Sequence, residues 1–553
     1  FALLIISVAG GLVATVREAR RTERRFQEVR KLANTVLFEF HRQIRSLPGA
    51  IPAREMLVST ALDYLNNLTV DASDDLALKW EISQAYELVG DAQGDPDGAS
   101  LGQYPQALAN YRKSLSMVEP ITQARRDWET LSCLTWLHYK IGDLELRMIG
   151  ARQAAASFTK GLQVAAAIGS ELKDRRSDDL LRNGYQRLSQ ARQRAADYAG
   201  ALENAELAYA TAKRLADHRP GHGSSANFAR SGILLGNVLW LKGDLDGAWR
   251  HYEEAIKRLE ELVAQRPDGT SALTDLQEAY RRAGEILGNQ AYFHFGRMDA
   301  AREYSRKAVR LAEQMVARDP LDAQAQTQLS VCLRRLAAVT REANPAEAIA
   351  LYRRAIEITR NLMAAVVGDL NYPRELANAR LGLAVALRQS GDGKAATQEA
   401  IAALTIQQDM LRRNPERGAV KEDMLDCLVV LGELRLRTGD TSNALEHFNQ
   451  ALLLARQLVE QGGSASLYSE RCLALVYEKL GDFHATLVRT GPGAERLMHQ
   501  EEARRWYEKA LEIWSRWRSK NLAIPYSANR EKEVLALLTR AGGRPTSSRA
   551  SAK

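Results

Sequence analysis

Apolar and small residues recur along this chain at spacings of three and four, the period of one helix face, and do so in matched pairs of segments. The stretch 235–256, LGNVLWLKGDLDGAWRHYEEAI, has the pattern in its plainest form. It predicts two helices joined by a tight turn at Gly243-Asp244, with Gly236 as a small residue on the first helix. Ala248, Tyr252 and Ala255 share one face of the second helix. A small residue lets two helix axes approach, a ring four residues on fills the space beside that contact, and the next small residue restores it one turn later. No sustained apolar/polar alternation occurs, so essentially no sheet is expected.

The same triplet repeats nine times. Its first position falls at Ala107, Ala154, Ala201, Ala248, Ala301, Ala348, Ala396, Ala444 and Ala503. The second is Tyr111, Phe158, Ala205, Tyr252, Ser305, Tyr352, Ala400, Phe448 and Tyr507. The third is Ser114, Gly161, Ala208, Ala255, Ala308, Ala355, Ala403, Ala451 and Ala510. Successive units are 47, 47, 47, 53, 47, 48, 48 and 59 residues apart. Self-similarity at such a period marks a solenoid of stacked units.

With small, large and turn positions all in place, residues 76–518 resemble the tetratricopeptide repeat family. The resemblance implies an all-α, right-handed superhelical solenoid of about nine long helix-turn-helix repeats. Family repeats run to about 34 residues, and the unit here is 13 longer. Pro220 precedes Gly236 by 16 residues and Ala255 precedes Pro267 by 12. These spacings distribute the extra length over both helices, close to two turns each. A small residue is expected before each turn. Unit six departs with Arg335-Leu336 and unit five is shifted, with Gly288-Asn289, so irregular packing is expected at both.

Chain length suits a repeat array better than one compact core: there are 553 residues, 45% hydrophobic and only 7% aromatic. The net charge of +8 is carried by the ends. Residues 1–31 hold seven Lys/Arg against three acids, residues 540–553 hold four and none, and the remainder balances at 65 against 65. A neutral array argues against broad nucleic-acid binding. Cys133, Cys332, Cys427 and Cys472 stand alone in apolar runs, the setting of small core residues, with no disulfide framework.

Residues 1–16, FALLIISVAGGLVATV, carry no charge and read as the end of a transmembrane helix, shorter than the roughly 20 residues needed to span a bilayer. A signal peptide is the competing reading, although a charged helix follows directly. Residues 17–75 are expected to form a juxtamembrane helix and cap helices, with a stripe of Phe26, Val29, Ala33, Leu37, Phe40 and Ile44. Across residues 1–118 the order is an apolar span, then ERRFQEVRKLANTVLFEFHRQIRSLPGAIPAREMLVSTALDYL, then VGDAQGDPDGASLGQYPQALANYRKSL. This order is similar to the region after the membrane span in bacterial membrane-anchored serine/threonine protein kinases of acidobacterial type. That family has a kinase domain before the span, which lies outside this chain. The resemblance implies single-pass placement in the inner membrane with extracytoplasmic repeats, whereas the basic run after the span favours cytosolic repeats.

Insertions fall between Gly90-Asp91 and Tyr104, after Gly142-Asp143 and around residues 489–493, all expected at turns and so on one edge of the solenoid. In the last unit Trp506, Ala510, Ile513 and Trp517 form a stripe, expected to pack on a final capping helix within 519–543 that Ser527 or Asn529 caps and Gly542-Gly543 ends. Residues 544–553 are expected to be disordered.

The chain carries no glycine-rich kinase loop, His-Arg-Asp loop, Asp-Phe-Gly, GxxxxGK[ST] or GxSxG. Pro220-Gly221 keeps His218 and His222 off a shared helix face, so no metal site is expected there. The reading is therefore a chain without catalytic, cofactor-binding or metal-binding residues, needing ATP and magnesium only through an upstream kinase. Its function is protein–protein interaction or sensing, with a protein or peptide in a concave groove lined by first helices. Trp136, Tyr139, Trp240 and Phe293 are the candidate groove contacts. The alternative is a membrane-tethered scaffold or assembly protein with no kinase domain.

Overall fold

A computed structural model describes residues 75–542, except 96–99, 268, 290–291, 366–368, 370, 414, 416–417, 463–466 and 491–494, together with five positions between 53 and 61. Residues 1–52, which hold the expected membrane segment, and the C-terminal tail lie outside the described residues. No described helix is long and apolar enough to cross a membrane.

The described residues form nineteen helices and no strand. Backbone contacts divide the chain into two compact units, Phe1–Arg126 and Asp127–Lys553. The first holds α1 (Leu76–Gly94) and α2 (Tyr104–Ala124). The second holds α3 (Trp128–Met148), α4 (Ala151–Glu171), α5 (Ser177–Arg194), α6 (Tyr198–His218), α7 (His222–Leu241), α8 (Leu245–Gln265), α9 (Thr270–Gly288) and α10 (Met298–Arg318). It continues with α11 (Ala323–Thr340), α12 (Pro345–Ala365), α13 (Asn371–Gln389), α14 (Gly393–Arg413), α15 (Gly418–Arg437), α16 (Thr441–Gly462), α17 (Leu467–Thr490), α18 (Arg496–Ser519) and α19 (Tyr526–Arg540).

Each odd-numbered helix pairs with the next, and α19 follows the ninth pair. Within the second unit every helix packs on its successor, and the first helices of consecutive pairs also touch one another. They therefore form the inner layer of an all-α repeat solenoid. In the first unit, Val58 and Ala61 join Leu78, Ile82, Ala85 and Val89 in a small core beneath α1.

The triplet residues are the seams of the pairs. Ala107, Ala154, Ala201, Ala248, Ala301, Ala348, Ala396, Ala444 and Ala503 are all fully buried. Tyr111, Phe158, Tyr252, Tyr352, Phe448 and Tyr507 are at most 2% exposed, as are Ala255, Ala308, Ala355, Ala451 and Ala510. Glycine enters this seam by close approach. A Cβ on Gly236 would lie 2.7 Å from the Tyr252 ring, and one on Gly142 2.5 Å from the Phe158 ring. Gly243 serves the turn instead. Its φ of +85° reverses the chain, and Asp244 caps α8 by accepting the Gly247 N–H at 2.8 Å.

That difference corrects one of the expected insertions. Gly142-Asp143 does not end its helix, because α3 runs on to Met148 and the turn is Ile149-Gly150. After Gly142 the good helix formers Leu144, Glu145, Leu146, Arg147 and Met148 follow, so the added residues there lengthen the helix rather than the loop. In the ninth pair α17 runs to Thr490 and α18 begins at Arg496, so the insertion around residues 489–493 falls at the turn between the two helices as expected. In unit six Leu336 occupies the small position, and the Tyr352 ring instead lies against Gly382 on α13, where a Cβ would sit 2.3 Å from it. The final helix lacks the expected side-chain cap: it starts at Tyr526, and the Ser527 hydroxyl donates to the Leu522 carbonyl at 2.8 Å.

Candidate functional site

The inner layer is tied together by charge. Arg187 on α5 donates to Asp143 on α3 at 2.8 Å, and Gln186 to Ser231 on α7 at 2.9 Å. Arg230 on α7 grips Asp275 on α9 at 2.8 and 2.9 Å. Arg335 on α11 pairs with Glu285 on α9 at 2.7 Å, and Arg334 with Glu375 on α13 at 2.7 Å. Arg374 on α13 reaches Asp423 on α15 at 2.5 and 3.1 Å. Glu433 on α15 accepts from both Arg388 on α13 and Lys479 on α17, the latter at 2.8 Å. A ladder of side chains thus joins successive first helices from α3 to α17.

Glu285 is its most buried charged member, at 2% exposure. It meets Arg281 at 2.8 Å, Arg282 at 3.1 Å and Arg335. Burial alone would raise its pKa, but the charges of Arg335, Arg281 and Arg282 outweigh burial and hold it at about 2.

The ladder lines a cavity of about 280 Å³ on the inner face of the second unit. First helices α11, α13, α15 and α17 and the loop after α9 contribute to it through Arg334, Arg374, Asn378, Asp426, Tyr468 and Tyr292 among others. The Tyr292 and Tyr468 rings stack at 5.3 Å. Arg335 lies 5.7 Å from the Tyr292 ring and Arg471 5.6 Å from that of Tyr468. The cavity therefore offers two aromatic rings with a guanidinium over each, arginines of which Arg334, Arg335 and Arg374 are paired with acids, and carboxylates.

Carboxylate character is strongest on α15. Asp423 is held by Arg374, whereas Asp426, one turn on, makes no hydrogen bond or ion pair within 4 Å among the described residues and has Arg471 as its opposing charge. Burial raises the Asp426 pKa to about 6, with Arg471 opposing and Asp423 adding to the rise. Burial also lifts Glu422 to about 8, helped by Asp423 and opposed by Arg374. Among the described residues no group of three or more His, Cys, Asp or Glu is arranged to hold a metal ion.

The four sequence-derived groove contacts lie elsewhere. Tyr139 is fully buried between α3 and α5, its hydroxyl donating to the Leu180 carbonyl at 3.0 Å. Trp240 is 4% exposed and donates its indole N–H to the Phe293 carbonyl at 2.7 Å. Phe293 is 2% exposed and packs edge-on against Trp517 at 5.3 Å. Trp136 is partly buried and stands edge-on to Tyr139 at 5.8 Å. Tyr139 is taken up by the contact between pairs. Trp240 and Phe293 present no free inner surface, because α17–α19 close over the loops that follow α7 and α9. The aromatic stripe of the last unit takes part in that closure. Trp514 and Trp517 are fully buried, bonded to Glu478 at 2.7 Å and Glu470 at 2.6 Å, while Trp506 remains partly exposed.

Sequence pattern alone named only aromatic residues for the groove and so missed the ladder and cavity. A signal was present. Arg230 and Asp275 are 45 residues apart, Arg388 and Glu433 45, Arg374 and Asp423 49, and Arg334 and Glu375 41, all close to the repeat period.

The tetratricopeptide repeat family profile matches residues 286–315, the end of α9 through most of α10. The chain carries a tetratricopeptide-repeat region. No curated protein matches its sequence. Solved structures similar to it include BtubC from P. vanneervenii, at 21% identity and TM-score 0.34 over 46% of this chain and 90% of that one. A Rap protein complexed with competence and sporulation factor is 12% identical, TM-score 0.41, over 74% and 99%. Human IFIT1 with PPP-AAAA is 16% identical, TM-score 0.35, over 90% and 96%.

Proposed function

We propose that this chain is a non-catalytic binding solenoid that holds an extended segment of a protein or peptide against its inner face. The observation that carries the reading is the cavity: first helices of four consecutive pairs and one inter-helix loop open onto a single space lined by aromatic, cationic and anionic groups. The walls are fixed before a partner arrives, because ion pairs hold each first helix from α7 to α17 to the next. Little conformational freedom is then lost on the solenoid's side when a partner binds. The test is selection of 12-residue peptides by display, followed by hydrogen exchange of the complex. Protection gained on α11–α17 supports the reading, and protection confined to the second helices overturns it.

The finer proposal is that the repeats are the C-terminal sensor of a single-pass bacterial serine/threonine kinase, extracytoplasmic and anchored through residues 1–16. It rests on the resemblance across residues 1–118. Sequencing the reading frame upstream of Phe1 tests it. A glycine-rich loop, a strand lysine and a His-Arg-Asp loop there support the kinase. Their absence leaves a membrane-tethered scaffold. Repeats that resist added protease in intact cells until the inner membrane is opened would argue against extracytoplasmic placement.

A further inference from the structure

The two steps that depart most from the repeat period, 53 residues into the fifth unit and 59 into the ninth, belong to two pairs that touch each other. Residues 289–297 join α9 to α10, whereas the turns of the other pairs from α3 to α16 take two to four residues. The long loop carries Tyr292, Phe293 and His294, and their rings meet the last pair and the final helix. Tyr292 lies 5.3 Å from Tyr468 on α17, Phe293 5.3 Å from Trp517 on α18, and His294 5.4 Å from Tyr526 on α19. Beside them the Ala523 N–H donates to the Gly243 carbonyl across the same seam. We propose that this loop is an acid-released clasp: it holds α17–α19 to the middle of the array while His294 is neutral and releases them when His294 takes a proton.

Hydrogen bonding fixes the neutral form. The Gly296 N–H donates to His294 Nδ1 at 3.0 Å, closing a tight turn in which Gly296 has a φ of +76°. Nδ1 is therefore an acceptor, and the proton sits on Nε2. A protonated imidazole has no acceptor, so a second proton breaks this bond and the turn it closes. The added charge would also fall among cations. Arg471 on α17 and Arg530 on α19 face the ring and oppose its protonation, while Glu342, in the turn after α11, favours it. Arg471 donates to the Tyr526 hydroxyl at 3.1 Å and Arg530 is paired with Glu478, so both arginines belong to the side that is released. Glu478 is bonded to Trp514 and Arg530 on that same side, so opening leaves its surroundings in place.

Burial, helped by Arg471 and Arg530, lowers the His294 pKa from 6.5 to about 4. In a released loop the ring returns to its ordinary value. Closure is then at full strength above pH 6.5 and weakens as pH falls from 6.5 toward 4. Between pH 7.5 and 5.0 the opening constant should rise about thirtyfold. Tyr292 and Tyr468 both line the cavity, so release parts two of its walls. That consequence alone rests on the peptide-binding reading.

The test compares the whole chain with its His294→Asn variant. Asn keeps an acceptor near the Nδ1 position and cannot titrate. Hydrogen exchange at the Ala523 amide, corrected for its intrinsic rate, reports opening because that amide is bonded across the seam. Amides inside α12 report the array itself. The expected result is a rise of about thirtyfold in Ala523 opening from pH 7.5 to 5.0 in the parent chain, with no rise in the variant and none in α12. No rise in the parent, an equal rise in the variant, or a rise shared by α12 overturns the clasp. A variant already open at pH 7.5 overturns it too, because packing rather than charge would then hold the loop. A display-selected peptide separates the clasp from what it controls. Association that quickens at pH 5.0 in the parent but not in the variant ties the clasp to the cavity. Association with the same pH dependence in both leaves the clasp standing and removes its control of the cavity. Failure to select any peptide removes the peptide reading, and the exchange result still decides the clasp.

Discussion

Ala523 donates its backbone N–H to the Gly243 carbonyl at 2.9 Å, joining the turn of the fourth pair to the segment that leads into α19. Beside this bond a Cβ on Gly243 would lie 2.8 Å from a Leu467 methyl, and Phe293 packs on Trp517. The last pair and the final helix thus act as an internal partner for the middle of the array.

Trp517→Ala should loosen that closure at a distance. The indole is fully buried and bonded to Glu470. Truncating such a side chain costs about 3–5 kcal/mol. Hydrogen exchange should show protection falling in the loop containing Phe293 as well as around α18. Loss confined to α18 and α19 would mean that the closure is not coupled.

Two glycines eight residues apart should respond oppositely to alanine. Gly142→Ala drives a Cβ into the Phe158 ring and should cost about 1–3 kcal/mol, the range for overpacking. Gly150 has nothing within 4 Å of a Cβ and an extended backbone, so Gly150→Ala should be neutral or stabilise by up to about 1 kcal/mol. Urea denaturation of the two variants provides the comparison, and equal losses would refute the distinction between seam and turn glycines.

Glu285 should dominate the acid sensitivity of the central pairs. Its folded pKa of about 2 lies below the ordinary 4.5, so its contribution is complete above pH 4.5 and is lost as pH falls toward 2. Removing one partner of a buried charge network costs about 3–5 kcal/mol. Glu285→Gln should therefore be markedly less stable at pH 6 and should approach the parent chain near pH 2. A constant difference across that interval would show that the carboxylate's charge is not what the arginines stabilise.

The parts of this architecture written in nearby residues were legible. Ala248, Tyr252 and Ala255 fix a helix face within eight positions, and repetition of that face places the pairs. Closure was not legible, because Gly243 and Ala523 are far apart in sequence and meet through accumulated rotation between pairs, which no local spacing records. Trp240 and Phe293 were assigned to the groove for the same reason: their position at the ends of first helices is local, whereas the α17–α19 cover over them is not. The cavity stands between these cases. Arg334 and Glu375 do not share a helix, but their separation near one repeat makes such pairs recoverable once the period is known.

The α15 carboxylates should give the stability curve the opposite slope to Glu285. Asp426 titrates near 6 against an ordinary 3.8, and Glu422 near 8 against 4.5. Burial raises both, so the folded chain binds protons that the unfolded chain releases. Their protonated forms cost little below pH 4, and the charged forms destabilise progressively as pH rises from about 4 through 8. The groups facing them are Arg374 and Glu375 on α13, Asp423 on the same helix, and Tyr468, Arg471 and Cys472 on α17. Arg374 and Arg471 limit the rise without removing it. The Asp426→Asn/Glu422→Gln variant should match the parent chain at pH 4 and exceed its unfolding midpoint at pH 8. Urea denaturation of both chains at pH 4, 6 and 8 measures the difference. A midpoint difference that stays constant from pH 4 to pH 8 would show that burial does not hold these carboxylates protonated.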